Sequence, residues 1–327
     1  MIRRALQMRE FALFAACVGL FAGFSVLIPD FLDAYGLAEQ LRYLVVPGMI
    51  AVPMTFIIAT AGIDLSVGAM VALCGILLGM LHEDFGLPLP VACAGAVLAG
   101  LLAGGFNGSV IAYAGVPPLV VTLATMTLFR GLATGLSQAQ PYRAFPPEFI
   151  HISQGNVFSL TSSAGTELFI LPLPAIALGG VVALGVLVLR RSWVGRHVEL
   201  IGENETAARF AAIPVPSLKL ALYAACGLVC GICAIYHIAL VGTAKSDAAM
   251  GYELKAIACV VLGGTRISGG HASVPGTLLG LLLLGMLGYG LHLAGVNDEV
   301  VIIVEGLLLV ATAVLNEWLF RRGEARK

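Results

Sequence analysis

The sequence predicts an all-α, polytopic membrane helix bundle of about ten transmembrane segments with glycine-interrupted helices, a single domain over residues 1–327. Three observations carry this. The 327 residues are 59% hydrophobic and only 11% charged, against about 25% charge in soluble domains. Mean hydropathy is +0.97. Apolar runs recur along the whole chain, near the ~20 residues a helix needs to cross roughly 30 Å of hydrocarbon. Forty glycines fit such a bundle, because helices in lipid associate through small residues that let backbones approach.

The first run, 11–28, follows MIRRALQMRE and reads as a first anchor rather than a signal peptide, since many spans follow it. Further runs cover 44–61, 67–81, 89–106, 118–137, 168–189, 218–241, 274–294 and 300–319. A short run, 254–263, precedes the glycine-rich GGTRISGG. If it crosses there are ten spans; if it is re-entrant, nine. Lys and Arg set the orientation. With the N-terminus in the cytoplasm, the inner segments hold Arg3, Arg4, Arg9, Arg190, Arg191, Arg196, Arg209, Lys219, Arg266, Arg321, Arg322, Arg326 and Lys327. The outer loops hold Arg42, Arg143 and Lys245, while Arg130 and Lys255 lie in or near spans. Both termini are therefore placed in the cytoplasm, with the chain multi-pass in a membrane.

Two loops are long. The outer stretch 138–167 is rich in proline and either caps the outer mouth or meets an extracellular partner. The inner loop, 190–219, is a basic island in an apolar chain. Within it Glu203 to Ile213 reads as a short amphipathic helix, capped by Asn204 or Thr206 and ended by Pro214. Phe210 beside small residues suits insertion into a groove of another protein, and equally an interfacial helix on anionic membrane lipid.

Two passages resemble each other, AGIDLSVGA (61–69) and GGTRISGGH (263–271). At an offset of 202, Gly62, Ser66 and Gly68 fall on Gly264, Ser268 and Gly270, the kind of internal similarity that marks repeats and pathway-lining broken helices in transporters. Asp64, a carboxylate at bilayer depth, costs about 2.5–3.5 kcal/mol unless partnered. It is either a polar group near the pathway or the N-cap of a helix from Leu65 to Leu81. Glu305 faces the bundle, bonded there or relaying protons. Arg130 reaches the outer surface or a water-filled cavity. His237 reads as packing, and Cys226, Cys230 and Cys233 share a helical face as a packing seam or a metal site. A phosphate-cradling GxxxxGK[ST] motif is absent, as is any catalytic grouping. The expectation is a non-catalytic chain with no cofactor and no nucleic-acid partner, drawing energy from another protein. The alternative is an ion-gradient-driven secondary transporter, which needs a charged relay across the membrane.

Four motifs in order, AGIDLSVGA (61–69), NGSVIAYAGVPPLVVTLATMTLFRG (107–131), GRHVELIGENETAARFAAIPV (195–215) and GYELKAIACVVLGGTRISGGHASVPGT (251–277), resemble permease subunits of bacterial ABC importers of the ribose/monosaccharide type, a family that includes the autoinducer-2 importer permeases. The likeness covers about 44 to 315. It implies a cytoplasmic ABC ATPase subunit coupled through Glu203, Asn204, Ala207, Ala208, Arg209 and Phe210, and a translocation pathway near Asp64, Ser66, Asn107, Thr122, Gly263, Gly264 and Ser268. It also implies a second permease chain, identical or different, and a periplasmic sugar-binding protein. The implied cargo is a pentose, hexose or deoxysugar such as ribose or rhamnose, or autoinducer-2. This chain departs from the family's pattern at Ala61 and Ala212, where glycine is usual, and at Arg266 and His271, where small or uncharged residues are commoner.

Overall fold

The computed structural model describes residues 2–161 and 167–324. Arg326 and Lys327, counted above among the inner charges, lie outside them. Among the described residues thirteen helices and one small hairpin form. The order is α1 (Ile2–Leu27), α2 (Ala34–Ala59), α3 (Val67–Glu83), α4 (Leu89–Tyr113), α5 (Pro118–Ser137), α6 (Pro147–Gln154), β1 (Asn156–Thr161), β2 (Glu167–Pro172), α7 (Leu173–Arg191), α8 (Trp193–Glu203), α9 (Glu205–Phe210), α10 (Val215–Val241), α11 (Tyr252–Leu262), α12 (Val274–Leu293) and α13 (Asp298–Glu324).

The starts of these helices follow local chemistry. Proline occupies the first or second position of α4, α5, α6, α7, α10 and α12, where a missing N–H costs nothing. Asp33, Ser192, Asn204 and Ser273 accept the free N–H groups of α2, α8, α9 and α12. Glycine sets an intimate helix pair. Gly100 and Gly104 of α4 face Gly227 and Gly231 of α10, Gly108 abuts Leu220 and Tyr223 one turn on, and a Cβ on Gly227 would stand 2.8 Å from the Gly104 Cα. Repeats of small residues four apart let these two backbones touch.

Helix α2 is the shaft of the bundle: 83% of its most apolar window is buried, against 6% for α1, which lies along α12 at the edge. The main core joins α2, α3, α4, α5, α10, α11 and α12. A second cluster, with Val52, Phe56, Val198, Ile201, Ala208, Ile213 and Leu218, seats α8 and α9 beneath the end of α2.

Several expectations are corrected. Seven helices among the described residues are long and apolar enough to cross a membrane: α1 from Glu10, α2, α4, α5, α7, α10 and α12. A count of ten has to add α3 with 17 residues, α11 with 11 residues and α13. The run expected over 44–61 begins at Ala34, so Arg42 lies within α2, 5% exposed, and bonds Glu39, the Gln154 carbonyl and Asn156. The helical bundle carries one small hairpin in addition. The stretch expected on the outer side holds α6 and the antiparallel pair β1–β2 among its described residues, and β2 takes the first residues of the span expected over 168–189. Pro172 and Pro174 explain the shift: the helix starts between them, at Leu173. Helix α8 was not anticipated at all.

Candidate functional site

Both glycine-rich passages interrupt helices, and the interruptions meet. Between α2 and α3 the chain turns at Thr60, whose hydroxyl bonds the Ile57 carbonyl at 2.8 Å, and at Ala61, with φ +59°. Asp64 Oδ1 accepts from the Ser66 N–H at 2.9 Å and from the Ser66 hydroxyl at 2.6 Å. Asn107 on α4 donates to Ser66 Oγ at 2.8 Å, and the Thr122 hydroxyl of α5 bonds both Pro118 and Ile63 carbonyls. Asp64 is therefore not an N-cap. It folds back on Ser66, which itself precedes α3 without a side-chain capping bond.

Asp64, Ser66, Asn107 and Thr122 are all fully buried within this one chain. They brace the first break from behind, the break near which the resemblance implies a pathway. Asp64 Oδ2, Asn107 Oδ1 and the Tyr223 hydroxyl, also buried here, have no protein partner among the described residues.

The second break runs from Gly263 to Ser273. Gly263 packs so tightly on the Gly276 backbone that a Cβ would collide with it. Gly264, Gly269 and Gly270 have φ of +92°, +84° and +85°, a region open to glycine without steric cost. Ser273 caps α12 and donates to Glu10 of α1 at 2.6 Å. Ser268 is exposed at the tip. The Gly270 N–H donates to the Ala59 carbonyl at 3.0 Å, tying the second break to the end of α2.

Helix α8 closes the junction. Gly202 lies against the Ala59 carbonyl and the Gly270 amide so closely that any Cβ would overlap both, and Gly269 abuts the Gly202 backbone. The His271 ring nitrogen Nδ1 lies 3.7 Å from Glu199. Three backbones, from α2, the second break and α8, thus converge on glycines. Gly270 falls on Gly68 in the internal similarity, but no spacing in the sequence distinguishes Gly202 from the chain's other glycines.

The predicted inner helix, 203–213, is two. Glu203 ends α8, and Asn204, extended at φ −160° and ψ +101°, caps α9 through Ala207 N at 2.9 Å. The helix stops at Phe210 rather than running on to Pro214, because Ala212 adopts φ +58° and the Ile213 N–H returns to the Ala208 carbonyl. Ala208 is buried in the second core cluster, so it holds α9 to its own chain. Ala207 and Arg209 are exposed, and Phe210 is 89% exposed. Glu205, missed by the sequence reading, accepts from Arg209 at 2.8 Å and Lys219 at 2.6 Å. Partial burial works to raise its carboxyl, but these two cations outweigh it and hold it below the usual range.

Ala61 and Ala212, the two positions where the resembled permeases carry glycine, both sit in the left-handed region. That conformation costs an L-residue roughly 1–2 kcal/mol, and glycine's extra chain entropy offsets about half of this. Ala61→Gly and Ala212→Gly should each stabilise the chain by about 0.5–1 kcal/mol. The check is the unfolding midpoint of the purified chain in detergent, expected to rise by roughly 1–3 °C. A fall in either midpoint contradicts the strain.

Elsewhere, Lys255 of α11 pairs with Glu305 of α13 at 3.5 Å, His237 sits edge-on to Tyr252, and Cys226, Cys230 and Cys233 are fully buried in α10.

The family described as branched-chain amino acid transport system / permease component matches residues 36–313. The chain is 36% identical over 311 residues to the autoinducer 2 import system permease protein LsrD of Photorhabdus laumondii subsp. laumondii, covering 93% of this chain and 90% of that one. The protein of the same name from Yersinia pseudotuberculosis serotype O:3 is 38% identical over 291 residues, 84% of each chain. Polytopic helices, paired helix breaks and a match over most of the length agree: this chain is a multi-pass membrane permease and belongs to the branched-chain amino acid transport system / permease component family.

Proposed function

We propose that the chain is one permease subunit of an ATP-driven importer in a bacterial inner membrane, with ATP hydrolysed on separate cytoplasmic subunits that grip α8 and α9. The solute is a small polyhydroxylated molecule. The family is described for branched-chain amino acids, but the similar full-length relatives are named for autoinducer 2, and they favour a sugar-like cargo. A second permease chain and a periplasmic binding protein complete the assembly, with both termini in the cytoplasm.

The observation that carries this is the contact of α8 with both helix breaks at once. A close-packed junction transmits displacement instead of absorbing it, and a helix bends most readily where its i→i−4 ladder is interrupted. A pull on α8 would therefore move the end of α2 and the 263–273 segment together, which supports alternating access driven from the cytoplasm. Exposed Phe210, Arg209 and Ala207 form the grip, while Asn204 and Glu205 hold α9 rigid beneath them. Glu203, at the joint between the two helices, passes the motion to Gly270, which its side chain overlies.

Uptake into right-side-out vesicles containing the complete importer should collapse on ATP depletion and survive an uncoupler. Uptake that persists without ATP and collapses with the uncoupler contradicts the proposal and favours an ion-driven carrier.

A further inference from the structure

The segment from Gly242 to Gly251 returns into the bundle. Ala244 pairs with Tyr142, whose hydroxyl donates to Asp84 beyond the far end of α3. Five residues later, the Ala249 carbonyl and the Glu253 carboxylate close over Gly68 in the first turn of α3. Gly68 lies roughly 22 Å along α3 from Glu83, so the segment reaches well into the thickness of the bilayer. Arg130 fixes it there, donating to the carbonyls of Ser246 at 2.7 Å and Ala248 at 2.8 Å. By helical rise Arg130 is itself about 10 Å below the end of α5.

This non-helical segment exposes Lys245, Asp247 and Met250. Irregular backbone at membrane depth is tolerated only in protein or beside water, never against lipid, and charged side chains there face a bundle interior or an aqueous cavity. Thr127, Arg130 and Thr134 recur three and four apart on α5, and so share one face. Both threonines are exposed. Leu98 and Leu102 on α4, at 55% and 64% exposure, show what a lipid-facing surface on this chain looks like.

We propose that Asp247, Lys245 and the α5 face bearing Thr127, Arg130 and Thr134 form the wall of the aqueous conduit, and that Asp247 accepts hydroxyl protons of a polyhydroxylated solute. This rests on the importer reading above and adds a pathway surface distinct from the buried Asp64 cluster. A carboxylate flanked by cations and hydroxyls offers acceptors and donors together, the pairing that a polyol's hydroxyls need. A second permease chain closes the opposite side.

The test is thiol labelling of the full importer in right-side-out vesicles. The seven native cysteines are buried or half-buried, which keeps background low. A small charged thiol reagent should modify the Asp247→Cys and Thr127→Cys variants at least roughly tenfold faster than Leu102→Cys, because only the first two meet water, and autoinducer 2 should protect them. Asp247→Ala, at matched amounts of chain, should lower uptake by about tenfold, the scale of one charged hydrogen bond. Labelling no faster than at Leu102→Cys, or uptake by Asp247→Ala at the wild-type rate, overturns the conduit. Wild-type uptake with and without ATP is read in the same vesicles. ATP-independent uptake defeats the importer reading alone; an ATP-driven importer with unlabelled Asp247→Cys defeats the conduit alone.

Discussion

A Gly202→Val chain should insert in the membrane at normal levels and lose most of its import. Its β-carbon would overlap the Ala59 carbonyl and the Gly270 amide, both backbone, so no side chain can swing aside. Overpacking of this kind costs about 1–3 kcal/mol. Placed at the joint between α8 and both helix breaks, the cost falls on whichever conformation closes that joint. A bias of that size shifts a two-state equilibrium by roughly 5- to 150-fold, and import should drop by a factor in that range. Because the collision is with the first carbon, Gly202→Ala should already show most of the loss. Radiolabelled uptake, normalised to the chain present in membranes, is the measurement. Wild-type uptake by Gly202→Ala would show that the junction tolerates separation and transmits nothing.

Phe210→Glu should break the engine from the transporter without disturbing either. Phe210 is 89% exposed and so contributes little packing to its own chain, and the unfolding midpoint should hardly move, in keeping with the ±0.5 kcal/mol typical of surface changes. As an aromatic anchor in a partner's groove its loss should cost about 2 kcal/mol or more, near thirtyfold in affinity for the ATPase subunits. Ala208→Glu makes the contrast. Ala208 is 4% exposed against Val198, Ile201 and Leu218, and a carboxylate forced there unseats α9, so that variant should lose both stability and uptake. Copurification of the ATPase with the two variants, beside their melting curves, separates docking from folding. If Phe210→Glu retains full ATPase binding, the exposed ring is not the grip.

Much of the fold was legible because hydropathy and proline placement act locally. Most of each apolar run lies in a helix, and helix starts fall at Pro90, Pro118, Pro147 and Pro275 or one residue away. The interruptions were legible too, from glycine density and from the resemblance of 61–69 to 263–271. Less visible was what depends on three-dimensional closure. Asp64 draws attention as a lone carboxylate, but its burial behind Ser66 and Asn107 follows from where α4 and α5 pass, which no spacing encodes. Helix α8 was hidden by its charges, since WVGRHVELIGE buries only Gly195, Val198 and Ile201. The return of 242–251 into the bundle was unreadable for a similar cause: its depth is set by Arg130 on a distant helix.

In the proposed mechanism a soluble motor holds α9 and works the breaks through α8. Site-directed cross-linking tests it most directly, with a Phe210→Cys chain and a short thiol-reactive cross-linker in membranes undergoing turnover. The predicted product joins the permease to an ATPase subunit and changes in yield between nucleotide-free and ATP-bound states. A product containing only phospholipid, or labelling of that thiol from the outer face, would contradict it.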